Sequence, residues 1–263
     1  MKLSVVIRSK DEAPRLRLVL ASLVRQTVPA DEIVVVDDGS SDETPSVLAE
    51  AARALPLTPV RHGSAHGRSA ASNAGARRAS GEVLLFLDGD TLAAPNLVER
   101  HLAVHAATGG RLGRGETMHL RCTRFLRDPE TVAPRAGEEA RIAALPPAEI
   151  ERLRVSRAQV MENFPAIAAR AEPGIYPGAG PRRLQALEVD ALRHHPDCPV
   201  LWAAASGSNQ SVDRERFLRA GGFDERLDIN EHRELALRLC DAGARMTLVE
   251  GAAAFHLTHR SGW

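Results

Sequence analysis

The chain opens on an alternation of short apolar runs and amphipathic stretches. Leu3 to Ile7 has the length and character of a buried strand. Pro14 to Gln26 follows, with Leu16, Val19, Leu20, Leu23 and Val24 on one helical face and Pro14 in a first-turn position. Ile33 to Val36 is a β-branched strand, Glu43 to Ala54 a helix stopped before Pro56, and Leu57 to Arg61 a weaker strand. Gly67 to Ala79 predicts a helix ended by Ser80-Gly81, and Val83 to Leu87 is an unbroken apolar run of the kind a strand covered on both faces shows. This β-α order predicts an α/β fold, three-layered, with a mostly parallel sheet and right-handed crossovers.

The pattern then changes. From about Arg111 to Pro199 no clean strand alternation recurs. Glu138 to Leu145 and Ala148 to Arg170 predict charged helices, and proline and glycine cluster at Pro173 to Pro181. The stretch reads as a helical insertion over the sheet, a lid or acceptor region. Order returns with Val200 to Ala205, a short helix over Asp213 to Ala220, a helix over Asn230 to Ala242 closed by Gly243, and strands at Met246 to Val249 and Ala252 to His256.

Composition narrows the classes. The 263 residues carry a formal net charge of zero, with 44% hydrophobic and 26% charged residues, as in an ordinary globular domain. Neutrality argues against a nucleic-acid partner. Three widely spaced cysteines without a C-x-x-C pair predict a reduced, cytoplasmic protein. Neither a signal peptide nor an apolar run of transmembrane length is evident.

The chemistry gathers at strand ends. The apolar run Val83–Leu87 stops at Asp88-Gly89-Asp90. Paired carboxylates repel and are costly to bury together, and a divalent cation such as Mn²⁺ or Mg²⁺ relieves both costs. Gly89 lets a ligand approach closely. The plainer alternative makes Asp90 a cap for the following helix. The second strand ends in Asp37-Asp38-Gly39-Ser40, where a carboxylate can accept from a ribose hydroxyl or a base N–H. The small-residue helix start at Gly67, with Arg68 and Asn73, suits phosphates. Gly221-Gly222-Phe223-Asp224-Glu225 precedes an acidic helix start, and His256 and His259 close the chain's last motif as metal ligands or as two partly buried histidines beside a strand.

Together these stretches resemble the family 2 glycosyltransferases of the GT-A fold, over about residues 1–105 and 200–260. The resemblance implies one domain, with a nucleotide-sugar-binding half (1–110), the insertion (111–199) and an acceptor and catalytic half (200–263). It implies sugar transfer, mostly with inversion, from a UDP-, GDP- or dTDP-linked donor to an acceptor it does not identify. Alternatives are a retaining transferase and a non-catalytic domain that binds a nucleotide or a partner. Asp38 would contact the nucleoside together with Arg8 and Ser9; Asp88 would lie on the ribose side and in the metal site, Asp90 would bind the metal, and His256 would add a ligand. The family usually has Glu-Asp at the acidic helix and uses a carboxylate as base. Here the sequence reads Glu231-His232-Arg233-Glu234. Glu231 is the expected base; His232, which stands where the aspartate belongs, is its rival, since a neutral imidazole can also accept a proton, and Glu234 is a further alternative.

Overall fold

The computed structural model describes residues 1–173, 183–227 and 229–259. Most of the proline-glycine cluster at 173–181 lies outside them. The opening alternation folds as read: β1 (Leu3–Ser9), α1 (Ala13–Val24), β2 (Glu32–Asp37), α2 (Thr44–Ala51), β3 (Leu57–Arg61), α3 (Arg68–Arg78) and β4 (Val83–Asp88). β5 (Thr91–Ala93), α4 (Leu97–Ala107) and β6 (Arg111–His119) follow. A small hairpin of β7 (Leu126–Asp128) and β8 (Ala133–Pro134) leads to four short helices, α5 (Glu139–Ala143), α6 (Pro147–Leu153), α7 (Arg157–Glu162) and α8 (Phe164–Ala168). The chain ends with α9 (Arg183–His194), β9 (Gln210–Asp213), α10 (Arg214–Arg219), α11 (Glu231–Asp241) and β10 (Arg245–His256).

The eight-stranded sheet has the order β3-β2-β1-β4-β9-β6-β10-β5. β3, β2, β1 and β4 are parallel, β9 runs antiparallel to both β4 and β6, and β10 is parallel to β6. Alternate residues of β1, β2 and β4 feed two cores. Val5, Ile7, Val35 and Leu85 pack with α1, α2 and α4 on one face. Val6, Val34, Leu84 and Phe86 pack with α3, α9, α10 and α11 on the other. The architecture is therefore α/β/α, as the element order predicts.

Two features of the insertion differ from the sequence reading. β6 lies inside the stretch expected to be helical, and it is a central strand. Its sequence hides this because its neighbours are polar. Gly113 sits where a Cβ would come 2.6 Å from Ser211 Oγ, and Gly115 lies against Asn209 and the Ala252 carbonyl. Buried Ser211 and Asn209 hydrogen-bond to His101, whose burial pushes its pKa down to about 4, so the ring stays neutral there. Second, α7 and α8 do not cover the sheet's carboxyl edge. Val160, Phe164 and Ile167 enter the α1-side core, with the Phe164 and Phe255 rings 5.4 Å apart. This part of the insertion buttresses the domain. No described helix is long and apolar enough to cross a membrane.

Candidate active site

The carboxyl ends of β1, β4, β6 and β10 open into one cavity of about 1450 Å³. This is where open α/β sheets hold ligands. Three groups of residues surround it.

The first is built on the β5–β10 pairing, whose register sets His256 opposite Thr91. His256 thereby meets Asp90, the preceding residue. Asp90 Oδ2 lies 3.3 Å from His256 Nε2 and 2.8 Å from His259 Nε2. The backbone bond from Leu257 N–H to the Asp90 carbonyl, 2.8 Å, fixes the two segments together. Burial alone would raise the Asp90 pKa, but the two imidazoles outweigh it and hold the carboxyl well below its usual range. One carboxylate oxygen and two ring nitrogens lie within 4.8 Å of one another, a donor set that fits a divalent metal. Asp88 lies outside this trio. Its Oδ1 accepts from Arg8 Nε at 2.7 Å, while Asp90 is grouped with His256 and His259. The His-x-x-His spacing is the sequence signal that brings His259 into this group beside His256.

The second group centres on Arg8. Besides Asp88, its Nη1 donates to Glu231 Oε1 at 3.1 Å, and the residue is only 7% exposed. Arg8, expected on the donor nucleoside, lines the cavity with its head group between these two carboxylates. Glu231 is 3% exposed, and its second oxygen lies 3.6 Å from His232 Nδ1. Burial pushes the Glu231 pKa up, but the neighbouring His232 ring and the Arg8 charge bring it down to about 2. A carboxylate that weakly basic is a less effective proton acceptor near neutrality. Glu234 is held by Arg238 through two contacts of 2.5 and 2.6 Å, and it does not line the cavity. His232 does line it. Gly207 makes this possible, because a Cβ there would lie 3.2 Å from His232 Nδ1 and 3.5 Å from Arg8 Nη2.

The third group is the expected nucleoside side. Ser9 lines the cavity with a buried hydroxyl that has no hydrogen-bond partner among the described residues. Gly89 lies where a Cβ would come 2.8 Å from that hydroxyl, so only glycine fits. Arg68, at the start of α3, also lines the cavity. Asp37 and Asp38 are buried and do not line it. Asp37 Oδ1 accepts from Ser40 N–H at 2.8 Å. Asp38 lies 2.6 Å from His62 Nδ1 and accepts from the His66 and Gly67 N–H groups at 2.9 Å. Burial raises its pKa, but these bonds prevail and lower it. Gly39, at φ +75°, lets Ser64 and Ala65 pack on its backbone. Asp38 and Gly39 thus hold the 62–67 loop across the end of β2.

Asn73, also expected on the donor side, is buried and does not line the cavity. Its Oδ1 accepts from Phe223 N–H at 2.9 Å, and its Nδ2 donates to the Phe223 carbonyl and to Glu225, both at 2.9 Å. The Gly221-Gly222-Phe223 turn is stapled to α3 by this amide, and Gly222 is glycine because Asn73 Oδ1 occupies the place of a Cβ. Replacing Asn73 with alanine strands a buried N–H and C=O, so the expected loss of stability is about 1–3 kcal/mol. Chemical denaturation with an unchanged midpoint would contradict this.

Comparisons with known proteins agree with this geometry. Residues 4–111 match the profile of "Glycosyl transferase family 2". Validoxylamine A glucosyltransferase of Streptomyces hygroscopicus subsp. jinggangensis is 32% identical over 254 residues, 94% of this chain and 53% of that protein. The chain spans about half the length of the curated relatives it matches most broadly. Among solved structures, S. aureus TarS 1–349 in complex with UDP superimposes with a TM-score of 0.65 at 14% identity, covering 99% of this chain and 61% of that one. Mannosyltransferase PcManGT from Pyrobaculum calidifontis, in complex with GDP-Man and Mn²⁺, gives 0.62 at 19% identity, covering 97% and 56%. Residues 4–111 thus match glycosyl transferase family 2 by profile, and the described residues share the GT-A fold of these solved structures.

Proposed function

We propose that the chain is a metal-dependent glycosyltransferase that moves a sugar, with inversion, from a nucleotide-diphosphate sugar to an acceptor hydroxyl. The observation that carries this is a single cavity bordered both by the Asp90–His256–His259 trio and by His232 with its Arg8–Glu231 support. UDP and UDP-GlcNAc in complexes of TarS, and GDP-Man with Mn²⁺ in PcManGT, support a nucleotide-sugar donor.

A divalent ion held by Asp90, His256 and His259 would offset charge on the departing diphosphate. Two imidazoles beside one carboxylate suit Mn²⁺ better than the oxygen-loving Mg²⁺. His232 takes the proton of the attacking hydroxyl. The acceptor oxygen forms the new bond to the anomeric carbon as the bond to the diphosphate oxygen breaks, and the nucleoside diphosphate leaves with that electron pair. Attack and departure on opposite faces invert the centre. Arg8 and Glu231 act through His232: Arg8 holds Glu231 ionised, and Glu231 faces the ring nitrogen that would carry the imidazolium's charge. Ser9 and Arg68 serve the donor.

The test is a screen of UDP-, GDP- and dTDP-sugars with and without Mn²⁺, read by thermal shift and by release of nucleoside diphosphate. A donor that binds the native state must raise its melting temperature by mass action. One donor should do so in a Mn²⁺-dependent manner and should be turned over. Binding without any release of diphosphate would favour a non-catalytic nucleotide-binding domain.

A further inference from the structure

We infer that Glu12 and Arg15 are positioning residues of the metal site: Arg15 fixes the segment between His256 and His259, and Glu12 faces His259 from the side away from Asp90. The inference rests on the metal-dependent reading above.

Arg15 lies on α1 and is only 1% exposed, the bulkiest of the fully buried side chains. A guanidinium is costly to bury unless its N–H groups find acceptors, and an apolar side chain of similar volume would fill the same space at less cost. Its donors go to three places. Nε donates to the Leu257 carbonyl at 3.2 Å. Nη1 donates to Glu12 Oε2 at 2.7 Å and to the Arg127 carbonyl at 3.2 Å. Nη2 donates to the Leu126 carbonyl at 2.6 Å. One side chain thus ties α1 to β7 and to the residue that separates the two histidines.

That segment is held carbonyl by carbonyl. The His256 carbonyl accepts from Leu120 N–H at 2.9 Å, and the Thr258 carbonyl from Thr123 Oγ1 at 3.0 Å. Both of those bonds come from the chain just after β6. The Leu257 carbonyl, between them, is held from α1 by Arg15. Metal ligands have to be fixed closely to keep their affinity, so a bond in the middle of a ligand-bearing loop bears on the metal as well as on the fold.

Glu12 lies one helical turn before Arg15 and faces the same loop. His259 directs Nε2 to Asp90 Oδ2 at 2.8 Å, and its Nδ1 lies 3.8 Å from Glu12 Oε1. At that distance the contact is electrostatic. A carboxylate beside Nδ1 favours a proton there and leaves the Nε2 lone pair for the metal. The carboxylate is itself held by two cations, Arg15 at 2.7 Å and Arg135 at 3.6 Å. Arg15 therefore acts on both ends of the ligand, on the backbone before His259 and on the group that faces its ring.

The experiment titrates the full chain with Mn²⁺ alone, by calorimetry, and follows the melting temperature of the metal-free protein in parallel. Glu12→Gln keeps an acceptor for Arg15 and removes the charge beside His259. Arg15→Lys keeps a cation but cannot span the Leu257 and Leu126 carbonyls at once. Each should raise the Mn²⁺ Kd by about 10–100-fold, the range that outer-shell partners contribute. Asn73→Ala supplies the contrast, since it destabilises the fold away from this site and should leave the Kd at the parental value. If Arg15→Lys fails to fold, Glu12→Gln carries the test. A parental Kd in either folded variant, or an equal rise in Asn73→Ala, would overturn the inference; the metal site itself would stand as long as Asp90→Asn abolishes binding. A parent that binds no Mn²⁺ would remove both.

Discussion

Replacing His232 with asparagine should lower transfer by roughly 10²–10⁴-fold, the range that general-base catalysis contributes, while donor binding persists. The substitution keeps a polar side chain of similar reach and removes the group that accepts the proton. His232→Asp restores the residue type usual at this position and should recover part of the activity. The acid limb of the pH–rate profile should move between parent and variant, because a different group accepts the proton. A structural role for His232 would not move that limb. Glu231→Gln should depress kcat with little change in donor KM, since Glu231 acts through His232. It should also flatten the acid side of the stability curve. Glu231 has a folded pKa of about 2 against an ordinary 4.5. A depressed value stabilises the native state above the unfolded-state pKa, and this is lost as pH falls through the folded value. The shift corresponds to about 3 kcal/mol by the 1.36 kcal/mol-per-unit relation, absent from Glu231→Gln between about pH 4.5 and 2. If His232→Asn retains near-parental transfer and Glu231→Gln abolishes it, the assignments are reversed.

The sequence and the structure diverge where long-range partners decide a residue's task. β1, β2 and β4 are legible because both faces are apolar, which writes a continuous run into the chain. β6 is not, since Gly113 and Gly115 make room for Ser211 and Asn209 from β9, roughly a hundred residues later. Asp88 and Asp90 are equivalent carboxylates in sequence; in the structure Asp88 pairs with Arg8 and Asp90 with His256 and His259. Asp38 reads as a ligand-binding aspartate until the 62–67 loop is seen folded onto it. The Glu231-His232 departure is visible locally, whereas the buried Arg8 that pairs with Glu231 is not.

Asp90→Asn and His259→Ala should each abolish the stabilisation by Mn²⁺ and reduce metal-dependent turnover by at least about 100-fold, the upper end of what lost outer-shell partners alone cost a metal site. The argument is one of donor count. The trio brings three ligand atoms together, and removing one leaves two, too few to compete with water around a hard cation. In the parent, Mn²⁺ at 100 times its dissociation constant should add about 2.7 kcal/mol of stability by mass action, which appears as a rise in melting temperature and disappears with chelator. Asp88→Asn supplies the contrast. Asp88 is tied to Arg8 and stands outside the trio, so this variant should keep the Mn²⁺-induced rise even where turnover suffers from a displaced Arg8. His256→Ala should behave like His259→Ala, because both rings face the same Asp90 oxygen. Loss of the Mn²⁺ response in Asp88→Asn together with its survival in His259→Ala would return the metal to the two aspartates. An equal response in all four variants would place the ion elsewhere on the molecule.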